Sequence, residues 1–203
     1  RIERGERGGI PETPKAGDPV FARVRNRIVG SNGLSLDAAA RKAKDHGYAV
    51  EVASRALVGE ARDAAAFLVR FTSREGRGSS RAAALPPRAT RAGGATTVTL
   101  RGHGRGGRNQ ELALAFALDV EDAGPGTAWA LLSAGTDGRD GPTDAAGAIV
   151  DPGTIARGRH AGIDPRRALD ENDSFAFLDA SGDLLRTGAT GTNVADLQVL
   201  LMR

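Results

Sequence analysis

Thr97-Val98-Thr99-Leu100-Arg101-Gly102-His103-Gly104-Arg105-Gly106-Gly107-Arg108-Asn109-Gln110-Glu111 is the stretch on which the reading of the chain turns. A β-branched run with strand character, Thr96 to Arg101, enters a turn rich in glycine and arginine. The helix-forming run from Glu111 to about Leu118 follows at once. Strand, flexible turn and helix N-terminus in that order present free backbone N–H groups and a positive dipole end to an anion. A phosphate or nucleotide site is therefore the first expectation.

Outward from this stretch the pattern repeats. Residues 1–24 carry Pro11, Pro14, Pro19 and many charges, and read as a linker or extended arm. Asn26 to Gly30 reads as a short strand, and Ser35 or Asp37 as the cap of a helix running to about His46. Tyr48 to Val52 is the next strand, and a helix spans about Glu60 to Phe71. Residues 25–85 thus form a β-α-β-α segment, and residues 86–203 a second α/β region expected to pack with it as one globular unit. Residues 76–94 receive no assignment, because Gly, Ser, Arg and Pro86-Pro87 dominate them. Further strands are expected at 128–133, 184–187 and 197–202, and short helices at 153–161 and 172–179. The fold class is α/β, a three-layer α/β/α sandwich with a mixed, largely parallel sheet.

The chain has 203 residues, of which 40% are hydrophobic, enough for a packed core. Its aromatic content is 4%, so that core is built from Ala, Leu and Val. The 28 basic residues include three lysines, and the 25 acidic ones are interspersed among them. This even distribution and the scarcity of aromatic stacking platforms argue against a nucleic-acid partner. With no cysteine, disulfides, thiolate metal sites and cysteine nucleophiles are excluded, and a reducing cytoplasm is the expected location. No apolar run approaches the roughly 20 residues of a membrane helix, and no signal peptide is seen. The chain opens on Arg1 in mid-pattern, as a piece of a longer protein would.

Three polar, glycine-rich turns each follow an apolar run: 102–109, 135–144 and 187–193. Ligands in open α/β sheets sit beyond the carboxyl ends of strands, so the three are expected to converge. The spacing Gly102-x-Gly104-x-x-Gly107 matches a dinucleotide fingerprint. The acidic ribose partner that such a site needs is misplaced: Glu121 and Asp122 precede the next strand instead of ending it. Arg101, His103, Arg105 and Arg108 crowd the glycines, which suits a phosphoryl group that spreads charge in its transition state. Arg108, at the junction with the helix, can fork two phosphate oxygens. In the second turn Asp137, Asp140 and Asp144 are placed to bind Mg²⁺, accept a proton or cap a helix. Thr190, Thr192 and Asn193 in the third turn offer neutral donors.

These same segments carry a resemblance. Gly106-Gly107-Arg108-Asn109-Gln110-Glu111, the run Ala134-Gly135-Thr136-Asp137-Gly138-Arg139-Asp140-Gly141-Pro142-Thr143-Asp144, and Thr187-Gly188-Ala189-Thr190-Gly191-Thr192-Asn193-Val194 resemble the MOFRL domain of glycerate 2-kinases, a family also labelled hydroxypyruvate reductase. Pro14 to Phe21 and Asn26 to Asn32 look like the end of the N-terminal region of that family. The resemblance implies ATP-dependent phosphorylation of D-glycerate at its 2-hydroxyl, with Mg²⁺, in a cleft between two α/β domains. It points to Arg108 as the catalytic arginine and to Asp137 as lining the same cleft; with the carboxylate chemistry of the second turn, Asp137 is also read as catalytic, and Asp137 and Asp140 as metal ligands. Gly104, Arg105, Gly106, Gly107, Asn109, Thr190, Gly191, Thr192 and Asn193 are the implied phosphate, nucleotide or substrate contacts. The N-terminal domain of the same protein, which bears a lysine used in catalysis, is the implied partner, and a homodimer is left open. The pattern is broken at three places: Ala95 stands in place of a glutamate, the run Arg88 to Ala92 in place of an apolar strand, and Ala189 in place of a proline. The competing readings are an NAD(P)H-dependent hydroxypyruvate reductase and an anion-binding module without activity of its own.

Overall fold

Ser31 starts the first helix. Its hydroxyl accepts the Leu34 amide at 3.3 Å, and α1 runs Asn32–Asp45 in the computed structural model, which describes residues 7–9, 13–73, 86–124 and 128–203. The cap lies earlier than Ser35 or Asp37, the expected candidates. Asp37 is committed elsewhere, to Arg55 at 3.1 Å and Arg91 at 3.5 Å. A Ser31→Ala substitution removes the cap and is expected to cost about 1 kcal/mol, seen as a small fall in thermal midpoint with no change in fold. Lys42 and Lys44 sit in the last turn, where cations suit the helix dipole.

β1 spans Ala49–Leu57 and α2 spans Ala61–Thr72. Ala61, Ala64, Ala65 and Leu68 are buried on α2, the i, i+3, i+4, i+7 stripe of a helix with one face in the core. That stripe packs on α3, Arg108–Ala123, which is buried around nearly its whole circumference. Phe116 of α3 meets Trp129 edge to face, with ring centroids 5.2 Å apart.

Among the described residues six strands make one sheet: β1, β2 (Arg88–Gly94), β3 (Trp129–Gly135), β4 (Gly147–Val150), β5 (Leu184–Leu185) and β6 (Asp196–Met202), in the order β1-β2-β6-β3-β4-β5. β1 and β2 are parallel, and the other four pairings are antiparallel. The mixed α/β sheet flanked by helices is as expected, but the balance is reversed: it is largely antiparallel. The last strand inserts between β2 and β3, and the polar loop after β3 leads into an antiparallel neighbour instead of a crossover helix. β6 alternates. Asp196, Gln198, Leu200 and Met202 are buried, the last two in the core that contains α3. Leu197, Val199 and Leu201 line a groove with Ala39 and Ala43 of α1 on the opposite face. Three layers result.

Three smaller helices follow β4: α4 (Thr154–His160), α5 (Pro165–Asp170) and α6 (Ser174–Ser181). α5 was not expected. Asp164 caps it by accepting the Arg167 amide at 2.7 Å, with Pro165 in the first turn.

Two expected strands are absent from the sheet, and two observed ones were not foreseen. Asn26 to Gly30 is unpaired, and Ile28 and Val29 are among the most exposed apolar side chains. The segment from Thr96 to Arg101 makes one bridge, Thr97 to Glu60. Side chains take the amides a strand partner would hold: Glu60 accepts from Thr99, and Asn172 accepts from Arg101. β4 and β2 are the unforeseen strands. β2 hides its character behind arginines and paired glycines, yet Ala89, Thr90, Arg91 and Ala92 are buried. Two of its polar side chains find distant partners: the Thr90 hydroxyl donates to Glu51 at 2.8 Å, and the Arg91 Nη1 donates to the Leu36 carbonyl at 2.8 Å. The rest of the unassigned run, residues 76–85, lies outside the described residues, as do residues 1–6 and 10–12 of the arm.

Candidate functional site

The glycine turn is not an open cradle. Asn172, held at φ 53 between α5 and α6, accepts the Arg101 and Gly102 amides at 2.6 and 3.0 Å. The Gly104 amide donates to the Glu171 carbonyl at 2.8 Å, and the Arg105 amide to Asp173 at 2.9 Å. Close approach explains the glycines. A Cβ on Gly102 would lie 2.3 Å from the Glu171 Cα, and one on Gly107 would lie 2.3 Å from the Asp140 Cγ.

The N-terminus of α3 already holds an anion, and it comes from this chain. Asp140, 1% exposed, accepts the Asn109 amide at 3.1 Å on one carboxylate oxygen and the Gln110 amide at 2.9 Å on the other. The Asn109 side chain adds a donor at 3.2 Å. Burial pushes the Asp140 carboxyl above the ordinary aspartate range, against the opposing pull of those amides. Asn109 points inward to Ser133 at 2.8 Å and Gln198 at 3.3 Å, so its side chain belongs to the core.

Arg108 is the side chain that reaches outward. Its Nε and Nη2 donate to the two carboxylate oxygens of Asp196 at 2.5 and 2.8 Å. The Asp196 side chain is 1% exposed, whereas that of Arg108 is 40% exposed. The hydrogen bonds to Asp196 hold the guanidinium more firmly charged than usual, with Asp140 and Asp137 adding their fields. Gly104, Gly106, Gly107 and Arg108 line a cavity of about 480 Å³ together with Thr96, Leu100 and Pro142.

The second and third turns close on each other beside this point. Thr190 donates its hydroxyl to the Thr136 carbonyl at 2.5 Å, and the Val194 amide donates to the Thr136 hydroxyl at 2.8 Å. Asp137 accepts from the Arg139 amide at 3.0 Å and from the Asn193 side chain at 3.4 Å. Asp137, Arg139, Asp144, Gly188 and Ala189 line a second cavity of about 360 Å³. Thr190, Gly191, Thr192 and Asn193 are all exposed. All three turns therefore lie at one end of β3 and β6, where Gly135 and Asp196 stand opposite each other in register.

Two of the candidates are engaged by other side chains. The Arg105 guanidinium stacks on Phe175, 4.4 Å from its ring centre. Asp144 pairs with Arg186 at 3.1 Å. Among the described residues no three His, Asp or Glu side chains gather as a metal cage. Sequence reasoning missed Asp196 and Asn172. Neither carries a local signal, since their partners lie 88 and 71 residues away. A lone charge at the head of the apolar run 197–202 was the single available hint.

This arrangement can be set beside known proteins. The glycerate 2-kinase of Pyrococcus horikoshii is 40% identical over 205 residues, covering 99% of this chain and 44% of that protein. The D-glycerate 2-kinase of Thermotoga maritima is 41% identical over 206 residues, covering 98% of this chain and 46% of the relative. The chain thus spans less than half the length of these relatives. The crystal structure of a Thermotoga maritima glycerate kinase superposes with a TM-score of 0.80 at 38% identity, covering 100% of this chain and 49% of the other. The sequence signature of the MOFRL family matches residues 89–196, the stretch that contains all three turns and the Arg108–Asp196 pair. That match takes in more than half of the sequence, and the chain belongs to the MOFRL family.

Proposed function

We propose that this chain forms one wall of the active site of an ATP-dependent glycerate 2-kinase. The reaction moves the γ-phosphoryl group to the 2-hydroxyl of D-glycerate. A bond forms between the 2-hydroxyl oxygen and phosphorus as the bond to the bridging oxygen of ADP breaks. The hydroxyl proton goes to a base, for which Asp137 is the candidate. The observation that carries this reading is Arg108: a half-exposed guanidinium, fixed on one edge by Asp196, at the junction of the three turns. Phosphoryl transfer asks the protein chiefly for position and positive charge around oxygens that spread charge in the transition state. Arg108 supplies both.

The carboxylates divide into two roles. Magnesium binds through one or two carboxylates plus substrate phosphates, so the single half-buried carboxylate of Asp137 fits as one ligand. When bound, the ion neutralises charge on the nucleotide phosphates. Asp140 is read instead as the internal anion of α3, since both its oxygens accept backbone amides. The cavity edged by Gly104, Gly106 and Gly107 is assigned to phosphate or substrate, and the exposed turn 190–193 to the hydroxyl and carboxylate of the acid. The N-terminal half implied by the family resemblance contributes the lysine and the opposite wall, so the isolated chain is inactive.

A hydride-transfer reading loses its footing on the same geometry. The glycine turn follows no sheet strand, and its helix N-terminus is filled by Asp140. The deciding experiment is a coupled ADP-release assay on the full-length protein with ATP, Mg²⁺ and D-glycerate. ADP and 2-phosphoglycerate in equal amounts are expected. NADH oxidation with hydroxypyruvate, in the absence of ADP release, overturns the assignment.

A further inference from the structure

We infer that Asp196 is a positioning residue for Arg108, setting which edge of its guanidinium meets the transferred phosphoryl group. The inference rests on the kinase reading above. A guanidinium has five N–H donors in a rigid plane. Asp196 takes one from Nε and one from Nη2. Three remain, two on Nη1 and one on Nη2, and one from each nitrogen forms the fork on the edge away from Asp196. That free fork is the one suited to two phosphoryl oxygens.

The surroundings of Asp196 hold this arrangement. In register, Asp196 lies between Gly94 of β2 and Gly135 of β3. A Cβ on Gly135 would already stand 3.7 Å from an Asp196 carboxylate oxygen. Gly135 thus keeps its side of the Asp196 carboxylate free of a side chain. The Asp196 carbonyl accepts the Asn32 side chain at 2.7 Å, which ties the first residue of β6 to the start of α1. Asp196 is a buried carboxylate whose charge is costly unless it is paired, and a long flexible arginine requires an anchor if it is to act without reorganising.

The test uses the full-length protein. Asp196→Asn is expected to lower kcat by about tenfold to a hundredfold, with smaller changes in KM for ATP and D-glycerate. Placed in the Arg108→Ala background, Asp196→Asn is expected to add no further loss. Guanidinium in the medium is expected to restore part of the turnover of Arg108→Ala, ammonium is not, and the rescue disappears when Asp196→Asn is added. Inactive Arg108→Ala beside Asp196→Asn of normal kcat overturns the positioning role alone. So does a further tenfold loss in the double variant. Normal turnover in Arg108→Ala overturns the kinase site reading itself, and the inference with it. If Asp196→Asn melts below the assay temperature, Arg108→Ala still decides: equal response to guanidinium and ammonium overturns the proposal.

Discussion

Arg108→Ala in the full-length protein is expected to lower kcat for ADP release by about a thousandfold or more. The size follows from where the charge stands. An arginine that meets a transferring phosphoryl group acts where negative charge is spread over three oxygens, and its loss leaves that charge facing neutral donors. The substitution spares the surrounding machinery, because Asp137 and the turn 190–193 are held by Arg139, Thr136 and Asn193, not by Arg108. Arg108→Lys is expected to recover little. An ammonium lacks the planar fork that binds Asp196 on one edge and phosphoryl oxygens on the other. Stability separates from activity in a predictable way. Alanine at 108 leaves the carboxylate of Asp196 without its cation, so the melting temperature falls, and adding Asp196→Asn raises it again without restoring turnover. Initial rates and a thermal melt on the three variants check both statements. Near-normal kcat in Arg108→Ala removes the residue from the reaction.

What was legible in the sequence had a local cause. α3 and β3 are close to their expected places because continuous apolar runs are bounded by glycine turns, and β6 is an apolar run in the sequence. β2 was hidden because two of its first four residues are arginines, and their partners, among them Leu36 and Asp37, lie far away in sequence. The residues 96–101 show the opposite error. Their β-branched character is genuine, but Glu60 and Asn172 hold their backbone outside the sheet. Strand direction is not carried by periodicity at all, which is why one parallel pair among four antiparallel ones was read as a largely parallel sheet. In the site, Arg108, Asp137 and the third turn were legible from turn chemistry. Asp196 was not, because a pairing across 88 residues leaves no spacing to recognise. The glycine turn reads in sequence as a phosphate site, whereas the anion that the structure places on its helix N-terminus is internal. The identity of that anion, Asp140 on the loop after β3, is a tertiary fact.

Asp140→Ala is expected to destabilise the fold by about 3 kcal/mol, since three N–H groups lose a buried charged acceptor and two of them are backbone amides of α3. For a chain of this size that corresponds to a fall in melting temperature of roughly 10 °C. Asp140→Asn is expected to cost about half as much, because one oxygen remains while the new NH₂ group faces an amide donor. The wild-type protein should also show a pH signature that Asp140→Asn lacks. Burial raises the folded carboxyl above its unfolded value, which lies near the ordinary ~3.9 of aspartate. The folded state therefore binds the proton more tightly than the unfolded state does. The resulting stabilisation is fully present below the unfolded value and is lost as pH rises through the raised folded value, above which the slope ends. Urea unfolding of both proteins from pH 3.5 to 7 reads this contribution together with its coupling to Asp196, because the carboxyls that do not interact with Asp140 cancel in the difference. The wild-type advantage over Asp140→Asn is expected to shrink as pH rises through that window. An advantage that grows with pH would mean that the Gln110 and Asn109 amides outweigh burial. The helix N-terminus would then prefer the charged carboxylate, and the direction argued here for Asp140 would be overturned.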